Sequence, residues 1–448
     1  MFRVNIYIFV LFYTGFLSSQ ERLTAESAIE KALENNYQIQ IAGKQEEIAE
    51  KNNKWSEAGA FPTVELSTML GNSVIDNRNN PFTFTPGLLA NNQITPGVLV
   101  NWNLFSGMGV VANKRRLEKL EEQTKGNGLL IIENTIHEVL TAYYGAVVQK
   151  ERLHLLEDLL NVSRKSYQYE ENKMDYGQSN RLALFQLKNQ YLSDSLNLLQ
   201  QEINYQNSLR NLLLIMNEDS EKLINDNFPE LTDSLAIDTE TISLDAVVND
   251  MQQNNQNLKN QQINIELQEA LTKQQKSFLY PVVNLQLGAN PNVGSFRFLG
   301  DAPAGFPESI QTQQVTYFGN VNIRYNLFDN WKNKRAVEVS KIQEEIAALN
   351  VDELKKQLTV NAANLVKQYE IRSKLLGIAR ENKHYAKLAF EVGQERFELG
   401  GINSLELAQL QNAYMTAGVE LFDTQYQKLE VYFELLKLTG KFQLMYQR

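Results

Sequence analysis

The chain carries one pattern twice, and the second copy keeps the register of the first. Leu23-Thr24-Ala25-Glu26, Asn35-Asn36 and Phe61-Pro62-Thr63-Val64-Glu65-Leu66 return as Ile242-Ser243-Leu244-Asp245, Asn254-Asn255 and Tyr280-Pro281-Val282-Val283-Asn284-Leu285, each 219 residues on. Further along, Trp102-Asn103-Leu104-Phe105-Ser106 matches Tyr325-Asn326-Leu327-Phe328-Asp329, and Asn113-Lys114-Arg115 matches Asn333-Lys334-Arg335. Tyr176-Gly177 then pairs with Leu399-Gly400, and Asn189-Gln190-Tyr191 with Asn412-Ala413-Tyr414. Solenoid repeats run to roughly 50 residues. A unit this long is instead a duplicated half-molecule whose copies are expected to take quasi-equivalent places in one assembly. The halves are set at 20–217 and 242–440, with a linker at 218–241 and a tail at 441–448.

All nine prolines, at 62, 81, 86, 96, 229, 281, 291, 303 and 307, lie in two windows and at one site between the halves. Proline inside a helix costs about 3 kcal/mol, so the proline-free spans 97–228 and 308–448 permit very long helices. Ile132, Ile136, Leu140, Tyr143 and Val147 follow one another at helical spacing, and Leu153, Leu156 and Leu160 continue the stripe. Helices are predicted at about 108–174 and 179–217, and again at about 331–397 and 403–439. The first would be about 100 Å long. A stripe so narrow on a helix so long requires lateral packing as a coiled coil. Within each pair, Tyr176-Gly177-Gln178-Ser179-Asn180 and Leu399-Gly400-Gly401-Ile402-Asn403-Ser404 predict a glycine-terminated turn. Ser179 or Asn180, and Asn403 or Ser404, would cap the returning helix, leaving an exposed hairpin tip in each half.

The proline windows have a period of two. Val315, Tyr317, Gly319, Val321, Ile323, Tyr325 and Leu327 alternate with Thr316, Phe318, Asn320, Asn322, Arg324 and Asn326. Val98, Val100, Trp102 and Leu104, then Val64 and Leu66, then Val283, Leu285 and Leu287 repeat the rhythm. Strands are expected at about 62–71, 96–106, 281–290 and 314–328, with 72–94 and 289–313 as long external loops. Roughly ten residues per strand and aromatic residues near strand ends (Phe61, Trp102, Phe105, Tyr280, Tyr325, Phe328) suit a bilayer-crossing barrel. Four strands cannot close one, since the smallest have about eight, so the chain would have to oligomerise.

Arg3, the nearly apolar run Val4 to Leu17 and Ser18-Ser19-Gln20 read as a secretory signal over 1–19. The run of about 14 residues falls short of the roughly 20 that span a bilayer, the alternative being an uncleaved anchor. Beyond residue 20 no run of 18 apolar residues occurs, and the mean hydropathy is −0.37. Such an exported chain is soluble or a β-barrel. The absence of cysteine removes disulfides, thiolate sites and a lipid-modified cysteine. A net charge of −10 argues against nucleic acid, and Lys114-Arg115-Arg116 lies among acids as a solvated helix face. His137, His154 and His384 share no ligand spacing, and neither a phosphate loop nor a nucleophile elbow occurs, so no enzyme, metal or cofactor is expected.

The duplicated halves, the Phe61-Pro62 and Tyr280-Pro281 strand starts, the Trp102 to Gly107 and Tyr325 to Asp329 strand exits and the glycine tips resemble the TolC-type outer membrane efflux family across essentially the whole mature chain. The resemblance implies a mixed α and β membrane protein. Three tandem-repeat protomers would form a twelve-stranded outer-membrane β-barrel continued by a long periplasmic α-helical, coiled-coil barrel. It further implies an exit duct of a tripartite efflux pump or type I secretion system, passive, without catalytic residues or cofactor. The partners so implied are a periplasmic adaptor (membrane fusion) protein and an inner-membrane RND-type or ABC-type transporter.

Gly177 and Leu182, and Gly400 and Leu405, match the family's adaptor-docking tips. Glu406 falls at the first acidic position of the family's constricting ring, Gln409 at the next, and Ile402 at the arginine position. Ala183 takes another acidic gate position, two residues after Arg181. The candidate periplasmic gate is therefore Arg181, Glu406 and Gln409, in which a ring of Glu406 would favour cations. A solvated helix-surface glutamate is the other reading of Glu406. The rival to a duct is an exported coiled-coil spacer or adhesin without a pore.

Overall fold

The computed structural model describes residues 22–83, 85–235, 241–302 and 304–442. The expected signal segment lies outside them. In chain order the elements are β1 (Arg22–Leu23), α1 (Ala25–Asn35), α2 (Tyr37–Asn52), β2 (Thr63–Asp76), β3 (Leu88–Ser106), α3 (Gly109–Asp175) and α4 (Arg181–Ile215). There follow α5 (Ser220–Ile224), β4 (Glu230–Leu231), α6 (Leu244–Asn254), α7 (Gln256–Ser277), β5 (Val282–Phe298), β6 (Ser309–Arg324), α8 (Lys332–Glu398) and α9 (Ser404–Leu438). The 2-strand and 2-long-helix motif thus occurs twice, and α3 and α8 are each 67 residues long. The span expected as a plain linker holds α5 and β4. No helix among the described residues is long and apolar enough to cross a membrane.

The chain divides into two compact units that cut across the repeats. One comprises Ile41–Leu129 and Gln256–Gln357. Its centre is an antiparallel sheet of order β2-β3-β5-β6, so the two repeats join through β3 and β5. Register places Val64, Leu66, Leu70, Ile94, Val98, Val100, Leu285, Leu287, Val293, Val321 and Ile323 on one face. Glu65, Ser67, Asn101, Asn284, Gln286, Asn320 and Asn322 share the other, where Gln286 Nε2 donates to Asn101 Oδ1 at 3.2 Å. Apolar side chains such as Leu66, Leu70 and Ile323 stand open to the surroundings.

Three departures from the expected strands have local causes. Strands of 14 to 19 residues replace strands of ten, and the two loops shrink to 77–87 and 299–308. The extensions open on residues polar on both faces, Asn72 and Ser73 opposite Asn92 and Asn91, which interrupt the alternation. Pro96 and Pro291 fall within central strands, and the β3–β5 ladder lacks pairs between Ile94–Val293 and Val98–Ala289, where neither proline can donate. Finally β6 stops at Arg324 rather than 328, because its partner β5 begins at Val282, just after Pro281, and no further pairing is available.

Strand turns into helix at consecutive left-handed residues in both repeats, Gly107 and Met108 (φ 61° and 66°) and Asn330 and Trp331 (φ 56° and 61°). A Cβ at Gly107 would lie 2.4 Å from the Ser277 carbonyl oxygen and 2.6 Å from Tyr280 Cβ. Beyond the corner, α3 packs on α7 through polar contacts. Gly126 leaves room for Asn260, which donates to Asn127 Oδ1 at 3.0 Å, and Lys119 meets Glu266 at 2.9 Å.

The other unit comprises the chain up to Gln40, Leu130–Asn255 and the chain from Leu358. The predicted α3 stripe supplies its core, with Ile136, Leu140, Tyr143, Val147 and Leu156 buried in one cluster with α4 and α9 residues such as Leu209, Leu212, Phe422 and Phe433, and Leu160 buried beyond it. Tyr143 donates its hydroxyl to Leu23 O at 2.8 Å, and Lys150 donates to Leu231 O at 2.7 Å, tying α3 to the parallel β1–β4 pair. Val247 and Met251 of α6 pack with Ala362, Leu365 and Leu435.

The Gly107 corner gives a direct test. Gly107→Val combines a disallowed φ with a backbone clash, a loss of more than about 2 kcal/mol. It should lower the unfolding temperature of the detergent-solubilised protein by several degrees, measured by intrinsic fluorescence. Gly300→Ala, in open space with no special φ, should leave it unchanged.

Candidate docking tips and gate

Both tips are built from backbone hydrogen bonds that only a left-handed residue can close. Gly177 N donates to Met174 O at 2.9 Å and Gln178 N to Lys173 O at 2.8 Å. The second tip repeats the pattern, from Gly400 N to Phe397 O at 3.0 Å and from Gly401 N to Arg396 O at 2.7 Å. These are Schellman closures, with Gly177 (φ 69°) and Gly400 (φ 75°) at the residue after the cap. Asn180 Oδ1 accepts from Ala183 N at 2.9 Å and Asn403 Oδ1 from Glu406 N at 3.0 Å, so asparagine caps both returning helices.

The caps differ in one respect. Glu406 Oε2 accepts from Asn403 N at 2.9 Å, which completes a capping box in the second tip. Ala183 occupies that position in the first, so its amide donor has no such return partner. The Glu406 carboxylate thus has a structural task besides any gating. Arg181 and Gln409 are exposed, and neither Arg181 nor Glu406 joins an ion pair among the described residues.

Leu182 and Leu405 occupy equivalent positions and are 67% and 55% exposed. Beside them stand Tyr176 and Leu399, 81% and 87% exposed, which the sequence places at the turns without marking them as docking residues. Their signal was a large apolar residue directly before the glycine, where a helix end offers nothing to cover it. Each tip therefore presents an apolar pair around a glycine, and a Cβ on either glycine would meet nothing within 4 Å.

The tips are tied together. Tyr169 donates its hydroxyl to Glu398 O at 2.7 Å, with the Lys173 ammonium 4.4 Å from its ring, and Ser404 Oγ donates to Gln186 Oε1 at 2.6 Å. Further along the helices Asp194 is buried, accepting from Gln190 Nε2 at 2.9 Å and Gln411 Nε2 at 2.7 Å. Burial pushes its carboxyl above the usual carboxylate range despite these bonds. Of the histidines, His137 meets Glu434 at 3.1 Å and His154 meets Glu157 at 3.1 Å, both as helix-side pairs.

Residues 28–218 and 247–441 each match the profile described as outer membrane efflux protein, and the two matches fall on the two repeats. The chain belongs to this family of outer-membrane efflux channels. It acts as an exit duct in the outer membrane. Among curated proteins none matches its sequence. In fold it is similar to the CmeC outer membrane channel of Campylobacter jejuni, at 15% identity and a TM-score of 0.76 over 93% of this chain and 85% of that one. It is likewise similar to the outer membrane protein VceC of Vibrio cholerae (14%, 0.70, 93% and 96%) and to the open MtrE channel of Neisseria gonorrhoeae (15%, 0.68, 93% and 88%).

Asp194 sets a pH dependence whose sign follows from its raised value. Its proton is held more tightly folded than unfolded, so the stability it contributes is complete below its unfolded value, about 4, and is lost as pH rises through the folded value. Asp194→Asn, with Gln411 free to turn its amide, should flatten this slope and raise neutral-pH stability, read by denaturant unfolding at pH 5 and 8.

Proposed function

We propose that three copies close one twelve-stranded barrel and a helical tunnel, forming the exit duct of a tripartite pump or type I secretion system. The observation that carries this is a four-stranded sheet with one apolar face and two unpaired edges, β2 and β6. In hydrocarbon each unsatisfied backbone group costs several kcal/mol, so those edges must pair with further copies. Three sheets of four reach a size that encloses a channel, with the asparagine-rich face lining it.

The helices support the same reading. Leu182, Phe185, Leu192, Leu196, Leu199 and Ile203 form an uncovered stripe on α4 at coiled-coil spacing. Ile371, Leu375, Ile378, Tyr385, Leu388 and Val392 form another on α8. Neighbouring protomers would cover both. The tips, with Tyr176, Gly177 and Leu182 in one and Leu399, Gly400 and Leu405 in the other, would receive the periplasmic adaptor, beyond which an RND-type or ABC-type transporter selects the cargo. Arg181, Glu406 and Gln409 would form the gate, a ring of Glu406 favouring cations.

The protein reconstituted in planar bilayers should conduct, and its detergent complex should have the mass of three chains. A monomer that forms no channel sinks the duct in favour of the spacer or adhesin. For the gate, Glu406→Gln keeps a capping-box acceptor while removing the charge. It should reduce cation over anion selectivity in reversal-potential measurements without lowering the unfolding temperature. Glu406→Ala should lose the selectivity and about 1 kcal/mol of cap as well.

A further inference from the structure

The apolar face of the sheet ends at a straight polar row. Register aligns Asn72 with Asn92, Asn92 with Ser295, and Ser295 with Gln311, one side chain from each of the four strands. The row before it is Leu70, Ile94, Val293 and Gln313, the first three still apolar. Together they line a shallow depression of about 660 Å³. None of the Asn72, Asn92, Ser295, Gln311 and Gln313 side chains is hydrogen-bonded within the protein among the described residues.

The position of this row can be measured in residues. On the same face, rows run from Trp102, Leu285 and Val321 through Val100 and Leu287, then Leu66 and Val98, then Thr68 and Pro96, to Leu70, Ile94 and Val293, and of these residues only Thr68 is polar. Rows on one face are about 7 Å apart, and tilted strands show lipid an apolar band of roughly 25 Å. The polar row is the first beyond that band. It lies towards the hairpins 77–87 and 299–308, opposite the ends where β3 and β6 lead to α3 and α8. With the helices in the periplasm, this is the outer leaflet, a surface built of glycolipid.

The chemistry selects among headgroups. Amides and a hydroxyl offer uncharged donors and acceptors suited to sugar hydroxyls, whereas phosphate calls for lysine or arginine. A single cation, Arg297, stands one row further out, across from Ser309. We infer that this depression binds an outer-leaflet glycolipid, its acyl chains on Leu70, Ile94 and Val293 and its sugars on the Asn72–Asn92–Ser295–Gln311 row. This rests on the barrel reading, with the apolar face towards lipid.

Native mass spectrometry of the full-length protein in mild detergent tests it. The probes are a lipooligosaccharide bearing core sugars, lipid A without them, and phosphatidylethanolamine. The lipooligosaccharide should be retained at least about tenfold better than the other two, a ratio that one or two net hydrogen bonds supply. The Asn72→Leu, Asn92→Leu, Gln311→Leu triple variant should lose that preference while conducting as the unchanged protein does. If the triple variant fails to conduct, Gln311→Leu alone, at the edge strand, should still weaken the preference. Equal retention of lipid A and lipooligosaccharide would assign binding to phosphate at Arg297 and overturn the inference. Undiminished preference in conducting variants would overturn it as well. A wild type that conducts but shows no sugar preference sinks this site and spares the duct, and one that does not conduct sinks the duct.

Discussion

A peptide group in hydrocarbon has no water to bond, and the proposed barrel depends on that constraint more than on any side chain. Within the sheet, β3 and β5 are paired on both sides, while β2 and β6 each leave one row of N–H and C=O groups open. An open row is tolerable in water and prohibitive in lipid. In the proposed barrel one chain cannot satisfy its own strands, and closure comes from copies. Duplication within the chain shortens that task, since each copy brings two hairpins already paired at β3 and β5.

The same economy explains why the repeats agree where they do. Both halves turn from strand to helix through two successive left-handed residues, yet only the first uses glycine, at Gly107. Its corner is crowded by the Ser277 carbonyl and Tyr280, so no side chain fits. Asn330 and Trp331 adopt the equivalent angles with side chains, and Trp331 packs edge-on against Phe328 at 6.2 Å. Backbone geometry is shared between the copies, and residue identity follows from what each corner has to pack against.

What the sequence disclosed divides along the same line. The long helices were legible because proline is absent and the Ile136 to Leu160 stripe is regular, and the tips because glycine follows each helix. Strand length was not legible beyond the alternating residues, since alternation reports a change of environment across a sheet and Asn72, Ser73, Asn91 and Asn92 are polar on both faces. Pro96 and Pro291 appeared to bound strands, yet each sits opposite the other's missing donor in mid-ladder. The helices α1, α2, α6 and α7 lie in the repeated starts, whose motif matches were visible but whose short stripes were not. The Glu406 capping box could have been found from Asn403 and Glu406 at cap spacing, a pattern masked by the candidate gate position that the resemblance gave Glu406.

Long helices with a narrow apolar stripe face a register problem, because a slip of one turn, about 5.4 Å, re-forms nearly the same contacts. Polar ties remove that degeneracy here. Gln201 Nε2 donates to Gln149 O and Oε1, both at 2.9 Å, joining α4 to α3. Arg372 donates to Gln427 Oε1 at 2.6 Å, joining α8 to α9, and Arg152 of α3 pairs with Asp423 of α9. Asp194 meets Gln411 and Gln186 meets Ser404 nearer the tips. Buried Lys428 of α9 sets its ammonium 5.0 Å from the Tyr369 ring of α8, with burial pushing its pKa down. Each tie costs desolvation and returns little net stability, but a one-turn slip would strand every one of these groups without a partner. The two tips consequently end at fixed levels relative to each other, as the proposed docking of one adaptor on both would require.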